Sequence, residues 1–106
     1  MNVVTDAGSY TSGGVDFDLY IAMPEARSGA LPAVFVAPAW DGLNAPIEET
    51  TRRVAELGYV AIAVDVYGKG VRGDLGGDNS HLMNPLVEDR ALLSERLHSA
   101  WSAIQA

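Results

Sequence analysis

The stretch from Asp65 to His81 contains most of the residue types that could bind a ligand or take part in catalysis. Its glycine-rich segment, GKGVRG at 68–73, would let backbone amides converge on an anion, and Lys69 adds a positive charge. The spacing matches neither the P-loop nor the G-x-G-x-x-G pattern. The acidic residues and His81 beyond it lack calcium-loop or zinc spacing, so no metal site is expected. We interpret the stretch as a solvated loop, with phosphate binding as the alternative.

A second segment, PAWDGLN at 38–44, carries Trp40 and Asp41 beside a predicted turn. These two side chains either line a pocket or, for Trp40, pack against the turn with the indole N–H satisfied. Asp65 ends a predicted buried strand, and we expect it to accept hydrogen bonds from loop amides rather than to act as a catalytic acid. The sequence has no cysteine, and none of its seven serines lies in a G-x-S-x-G pattern. No catalytic nucleophile can therefore be assigned.

The elements that would position these segments begin with a hairpin. VDFDLYIAM at 15–23 alternates strictly between apolar and other residues, which predicts a half-buried strand. The preceding TSGG at 11–14 supplies the glycines of a tight turn, so residues 2–10 form the first strand of an antiparallel pair.

A strand, a helix and a second strand follow. The uninterrupted apolar runs at 32–37 and 60–64 predict strands that are covered on both faces. Between them we expect a helix that begins at Asn44 or Ala45, has Pro46 in its first turn and ends at Gly58. A final amphipathic helix is expected from Asn84, as its N-cap, and Pro85 to Ile104. The prediction is an α/β domain with four strands and two helices.

Composition limits the function classes. The chain has 106 residues, enough for one small domain, and its 14 acidic and 7 basic side chains give a net charge of -7. That charge argues against nucleic-acid binding. No apolar run approaches the ~20 residues of a membrane span, and the first ten residues do not resemble a signal peptide. We expect a cytoplasmic protein without disulfides and without a cofactor.

From Pro32 to Arg96 the chain resembles the dienelactone hydrolase family of the α/β-hydrolase superfamily. The resemblance rests on VFVAPAWDGLN, TRRVAELGYVAIAVDVYGKG and LMNPLVEDRALLSERL, and with the hairpin it covers about the first half of a typical member. It implies that residues 1–106 form a truncated, three-layer α/β-hydrolase-like half-domain that lacks the nucleophile-elbow half. The implied lineage is that of ester and lactone hydrolases, but these residues alone are not expected to be catalytic.

The resemblance also suggests roles for individual residues. The backbone N–H of Trp40 matches one donor of the family's oxyanion hole, and Asp41 lies beside it as a candidate substrate contact. Ala39 stands where the family often has a carboxylate that controls the nucleophile. Lys69 falls where the founding enzyme type has an arginine that binds a substrate carboxylate. His81 and His98 both precede the position of the family's elbow, so neither matches its catalytic histidine.

The superfamily strand order, 1-2-4-3, would leave the strand Ala33 to Ala37 at an open edge of the sheet. An apolar edge strand is an association site, so we expect a homodimer, formed either through this edge or by exchange of the helix from Pro85 to Ile104. A small ester or lactone is the expected ligand. Three readings remain open: the N-terminal portion of a longer hydrolase, a free-standing homo-oligomeric binding or structural module, and a nucleotide-binding flavodoxin-like domain.

Overall fold

The computed structural model describes residues 2–25, 31–38, 41–73 and 77–105 and shows an α/β fold. Four strands and three helices follow one another along the chain: β1 (Val3–Ser12), β2 (Val15–Pro24), β3 (Ala33–Val36), α1 (Ala45–Glu56), β4 (Val60–Val64), α2 (Ser80–Glu88) and α3 (Arg90–Gln105). None of the helices in these ranges is long and apolar enough to cross a membrane.

The predicted hairpin is confirmed. β1 and β2 pair antiparallel over their whole length, from Val3 opposite Pro24 to Ser12 opposite Val15. Gly13 and Gly14 form the two-residue turn with φ angles of 57° and 78°. Positive φ at both central positions gives the turn a twist that matches the strands, and glycine adopts it without a Cβ clash.

The sheet has the order β1-β2-β4-β3, as predicted. β2 pairs antiparallel with β4, and β3 pairs parallel with β4 on its other side. β4 is buried from Ala61 to Val64, as its apolar run predicts. β3 is not covered on both faces as expected: Ala33 is exposed and the next three residues are half-buried. The difference arises because β3 is at the edge of the sheet, where fewer neighbours cover it.

The two faces of the sheet pack against different helices. One face presents Phe17, Leu19, Ile62 and Val64 to a core that includes Leu86 of α2 and Ala100 of α3. The opposite face presents small residues, Ala22 and Ala61, to Ala55 of α1. The domain is therefore three layers thick, and the small side chains let α1 lie close to the sheet.

The first helix follows the predicted boundaries. Its N-cap is Asn44, Pro46 lies in the first turn, and Gly58 lies just beyond its end with a φ angle of 101°. The amide N–H of Gly58 donates to the carbonyl of Ala55, which satisfies one of the carbonyls that a helix end leaves open.

The prediction for the last helix was wrong in its start and its continuity. Asn84 and Pro85 lie inside α2, which begins after Asn79, and a separate helix, α3, starts at Arg90. Pro85 is the sixth residue of α2 and cannot donate to the carbonyl four residues before it, yet burial of the neighbouring Leu86 in the core keeps this segment against the sheet. The break comes at Asp89, whose carboxylate accepts the N–H of Leu92 at 3.1 Å and so caps α3.

Candidate functional site

The candidate site lies where the parallel strands β3 and β4 end. Because both carboxyl ends are at the same edge of the sheet, the loop at 37–44 and the loop at 65–73 meet there. Ala39 and Trp40 lie outside the described residues, so the predicted oxyanion donor at Trp40 has no geometry to report. Asp41 lies within this region, beside the second loop.

Asn44 joins the two loops. Its side-chain amide donates to the carbonyl of Asp41 at 2.9 Å and to the carbonyl of Gly73 at 3.1 Å. The N–H of Gly73 in turn donates to the same Asp41 carbonyl at 2.9 Å. Although Asn44 is the N-cap of α1, its side chain makes no capping hydrogen bond. The amide is used to tie the loops together, which fixes the backbone on the carboxyl side of Trp40.

Two glycines allow close packing around this tie. Gly42 has a φ angle of 83°, and a Cβ built there would lie 3.0 Å from the ring of Tyr67. A Cβ on Gly73 would overlap the side-chain oxygen of Asn79, which is fully buried at the start of α2. Larger residues at 42 and 73 would therefore push apart the loops and the first turn of α2.

Tyr67 and Asp41 are brought together by this packing. Burial raises the pKa of the Tyr67 phenol, and the negative charge of Asp41 raises it further. The phenol is therefore neutral at physiological pH. Tyr67 and Val66 line a cavity of about 180 Å³ with Ala37 and Pro38, and the remaining wall of this cavity comes from α2 and α3.

Lys69 is placed differently. Its backbone N–H donates to the carbonyl of Asp16 at 2.9 Å, and its side chain is exposed. Burial acts to raise the pKa of Asp18, but the Gly70 N–H, the Arg72 guanidinium and the charge of Lys69 together lower it. Lys69 therefore lies on the β2 side of its loop, and no contact with Asp41 is found among the described residues.

Asp65 has the structural role that the sequence predicted. Its fully buried carboxylate accepts hydrogen bonds from the backbone N–H groups of Asp18 at 3.0 Å, Tyr67 at 2.9 Å and Gly68 at 3.1 Å. The guanidinium of Arg72 approaches the same carboxylate at 3.9 Å. With these partners Asp65 is an anchor for the second loop.

The two histidines lie elsewhere. His98 on α3 hydrogen-bonds through Nδ1 to the carbonyl of Ser94, one turn earlier, at 2.8 Å, and His81 is an exposed residue of α2. Within the described ranges no three histidine or acidic side chains are grouped as they would be around a metal ion.

Residues 17–105 match the model of the dienelactone hydrolase family. The chain belongs to that family. A dienelactone hydrolase-like promiscuous phosphotriesterase from metagenomic libraries superposes on the whole chain with a TM-score of 0.90 and 30% sequence identity, and the chain covers 44% of it. The sequence prediction of this family, and of an α/β-hydrolase-like fold, is thus confirmed.

Two curated relatives of the dienelactone hydrolase type are also similar. A Yersinia pestis protein that carries the name carboxymethylenebutenolidase is 35% identical over 97 residues, which are 87% of this chain and 36% of that protein. A Bradyrhizobium protein named as a 2-oxo-3-(5-oxofuran-2-ylidene)propanoate lactonase is 31% identical over 77 residues, 72% of this chain and 31% of that protein. The chain thus spans well under half of the length of each relative.

Sequence reasoning missed several residues of this candidate site. Asn44 has the strongest signal, because an asparagine just before a helix was interpreted only as a possible start of that helix. Gly73 and Asn79 had no local signal, since their importance comes from contacts with residues far away in the sequence.

Proposed function

We propose that this chain provides the carbonyl-binding half of an ester or lactone site. The observation that carries the proposal is the Asn44 tie, which holds the loop of the candidate oxyanion donor, Trp40, against the loop after β4. An oxyanion hole stabilises charge only if its donors are fixed before the reaction. The family membership of the chain supports the same chemistry.

The substrate class we propose is a small lactone that carries a carboxylate. The names of the Yersinia and Bradyrhizobium relatives point to substrates of this kind. Lys69 is the exposed cation on the second loop and is our candidate for the carboxylate. Tyr67 lines the cavity beside this loop, together with Ala37 and Pro38. Binding of an acidic ligand to a chain of net charge -7 requires a local positive charge such as that of Lys69.

Hydrolysis requires a nucleophile, and these 106 residues contain neither a cysteine nor a serine in the elbow pattern. We therefore propose that these residues alone bind the lactone without opening it, and that turnover requires a nucleophile from outside them. No triad is assigned within the chain.

The test is an NMR titration of the purified chain with a small unsaturated lactone bearing a carboxylate, beside an assay of its hydrolysis. We expect shifts of the Asp41, Tyr67 and Gly73 amide signals and no hydrolysis above the uncatalysed rate. Lys69→Ala should weaken binding of the acidic lactone about 2- to 5-fold, as for an exposed charge pair, and leave a neutral lactone unaffected. Arg53→Ala, on the exposed face of α1, is the matched control.

Each outcome bears on one part of the proposal. If the lactone causes no shifts at these amides at millimolar concentration, the carbonyl-binding role is wrong. If the purified chain hydrolyses the lactone, the requirement for an outside nucleophile is wrong. Equal effects of the Lys69 and Arg53 substitutions would remove Lys69 from the site.

A further inference from the structure

The side of the domain beyond β3 has an apolar groove. Three adjoining cavities of about 430, 180 and 200 Å³ share Leu97 of α3 and extend from Met83 in the middle of α2 to Phe35 of β3. We call this surface the α3 groove; its principal residues are Phe35, Met83, Val87, Leu93, Leu97 and Trp101. Val87 is 52% exposed and Trp101 is 46% exposed, so large apolar side chains face water here.

The backbone of β3 is open on the same side. The carbonyl of Pro32 accepts the N–H of Val60, and backbone groups alternate in direction along a strand. The N–H and C=O groups of Ala33 and Phe35 therefore point away from β4, where no described strand accepts them. β3 also lacks the charged residues, prolines and bulges that normally protect an edge strand. Such an edge accepts a further strand.

The charge distribution favours a copy of the same chain as the occupant. None of the described residues that line the α3 groove is acidic, although the chain has 14 acidic side chains and a net charge of -7. Two copies that meet here bring no groove carboxylates together, and Arg90 and His98 are the charged or titratable side chains at the groove. Aromatic residues, methionine and arginine together with few acidic residues are typical of an interface core.

We propose that a second copy of this chain pairs antiparallel with β3 about a two-fold axis and covers the α3 groove. In this arrangement Ala33 is opposite Phe35 of the second copy and Phe35 is opposite its Ala33, so the residues whose backbone groups point outward hydrogen-bond to each other. The two sheets become one sheet of eight strands. Because the groove continues into the cavity at Ala37 and Tyr67, the second copy also lies against this cavity beside the candidate site.

The first measurement is sedimentation of the purified chain together with hydrogen exchange. We expect a dimer at micromolar concentration, with the Ala33 and Phe35 amides protected in the dimer and unprotected on dilution. The dimer should strengthen as sodium chloride is raised, because salt screens the repulsion between two copies of charge -7.

Two matched substitutions test the groove. Val87→Lys places a charge in the α3 groove, and Leu57→Lys places one at an apolar residue that is 76% exposed and outside it. Val87→Lys should raise the dimer dissociation constant about 10-fold or more, equivalent to about 1.4 kcal/mol, whereas Leu57→Lys should change it less than about 2-fold. Ala33→Pro removes one outward N–H without disturbing the bonds to β4 and should also weaken the dimer.

A monomer at tens of micromolar in both low and high salt would overturn the proposal and would favour a different polypeptide as the occupant of the groove. A dimer in which the Ala33 and Phe35 amides remain unprotected would also overturn it, since exchange of α3 or another face would then join the copies. If Ala33→Pro does not fold, the comparison of Val87→Lys with Leu57→Lys still decides. Equal effects of those two substitutions would exclude the α3 groove.

Discussion

Replacement of Asn44 by aspartate separates two roles that this residue can have. If Asn44 acts as the N-cap of α1, aspartate is an equally good cap and adds a negative charge at the favourable end of the helix, so stability should be unchanged or higher. If Asn44 acts as the tie between loops, aspartate has no N–H to donate at neutral pH. Its carboxylate would instead face the carbonyl oxygens of Asp41 and Gly73.

The geometry predicts that the lost hydrogen bonds of Asn44, and not its capping role, determine the stability of Asn44→Asp. Two partly buried hydrogen bonds, at 2.9 and 3.1 Å, are lost, and each contributes about 0.5–1.5 kcal/mol. The repulsion between carboxylate and carbonyl oxygens adds to this loss. We expect Asn44→Asp to lower the free energy of unfolding by about 2–3 kcal/mol and Asn44→Ala to lower it by about 1–2 kcal/mol.

Urea unfolding at pH 7 measures these differences, and hydrogen exchange at Gly73 locates them, because its N–H donates to the Asp41 carbonyl in the same network. The Gly73 amide should exchange at least about 10-fold faster in Asn44→Asp, since about 1.4 kcal/mol of local stability corresponds to that factor. If Asn44→Asp is as stable as the parent, or more stable, the tie is refuted and the capping role is correct.

Three further predictions concern the surrounding elements. Gly42→Ala should destabilise the fold by about 1 kcal/mol more than Gly58→Ala. Both glycines have positive φ, but of the two only Gly42 has a neighbour, Tyr67, within 4 Å of the added Cβ. Equal urea midpoints of the two variants would contradict this. The pKa of Asp18 is lowered in the folded state, so its carboxylate stabilises the fold at any pH above the ordinary carboxyl pKa, and this stabilisation is lost as the pH falls through the folded pKa. Asp18→Asn should therefore flatten the acid limb of a stability–pH curve. Superimposable curves for the parent and the variant would exclude this contribution of Asp18. Asp89→Ala should lower the free energy of unfolding by about 0.5–2 kcal/mol through loss of the α3 cap, which an unchanged thermal melt would refute.

The parts of the fold that the sequence predicted have local causes. The hairpin follows from two glycines between alternating strands, and α1 follows from Pro46 at one end and Gly58 at the other. The strand order came from the family resemblance and not from any local pattern. In each case the signal lies within a few residues of the feature it determines.

The division between α2 and α3 could not be predicted in this way. Asn84 followed by Pro85 is a typical helix start, but the real start depends on Asn79, which is buried against the backbone of Gly73. The cost of a proline inside a helix is offset here by tertiary packing around Leu86. Local preferences were therefore overridden by contacts that only the folded chain brings together.

The candidate site was predicted only in outline. Asp41 was selected with Trp40 because of a family motif, and in the structure its carbonyl accepts the N–H of Gly73 in the loop that follows β4. The contact of Asn44 with Gly73 spans 29 residues of sequence and has no pattern that would reveal it. The side chain of Lys69 was expected at the site. In the structure the backbone N–H of Lys69 donates to the carbonyl of Asp16, and the charge of Lys69 helps to lower the pKa of Asp18.

The second loop is held by several anchors, although the chain spans less than half of the length of its relatives. The buried carboxylate of Asp65 holds the N–H groups of Tyr67 and Gly68, and its backbone carbonyl accepts a hydrogen bond from the hydroxyl of Tyr10. Arg96 of α3 donates to the carbonyl of Val66 at 2.7 Å, which secures the same loop from the helical layer. All these partners lie within the described chain. The loop is therefore positioned by the hairpin and by α3, before any second copy or other polypeptide covers the open edge of β3.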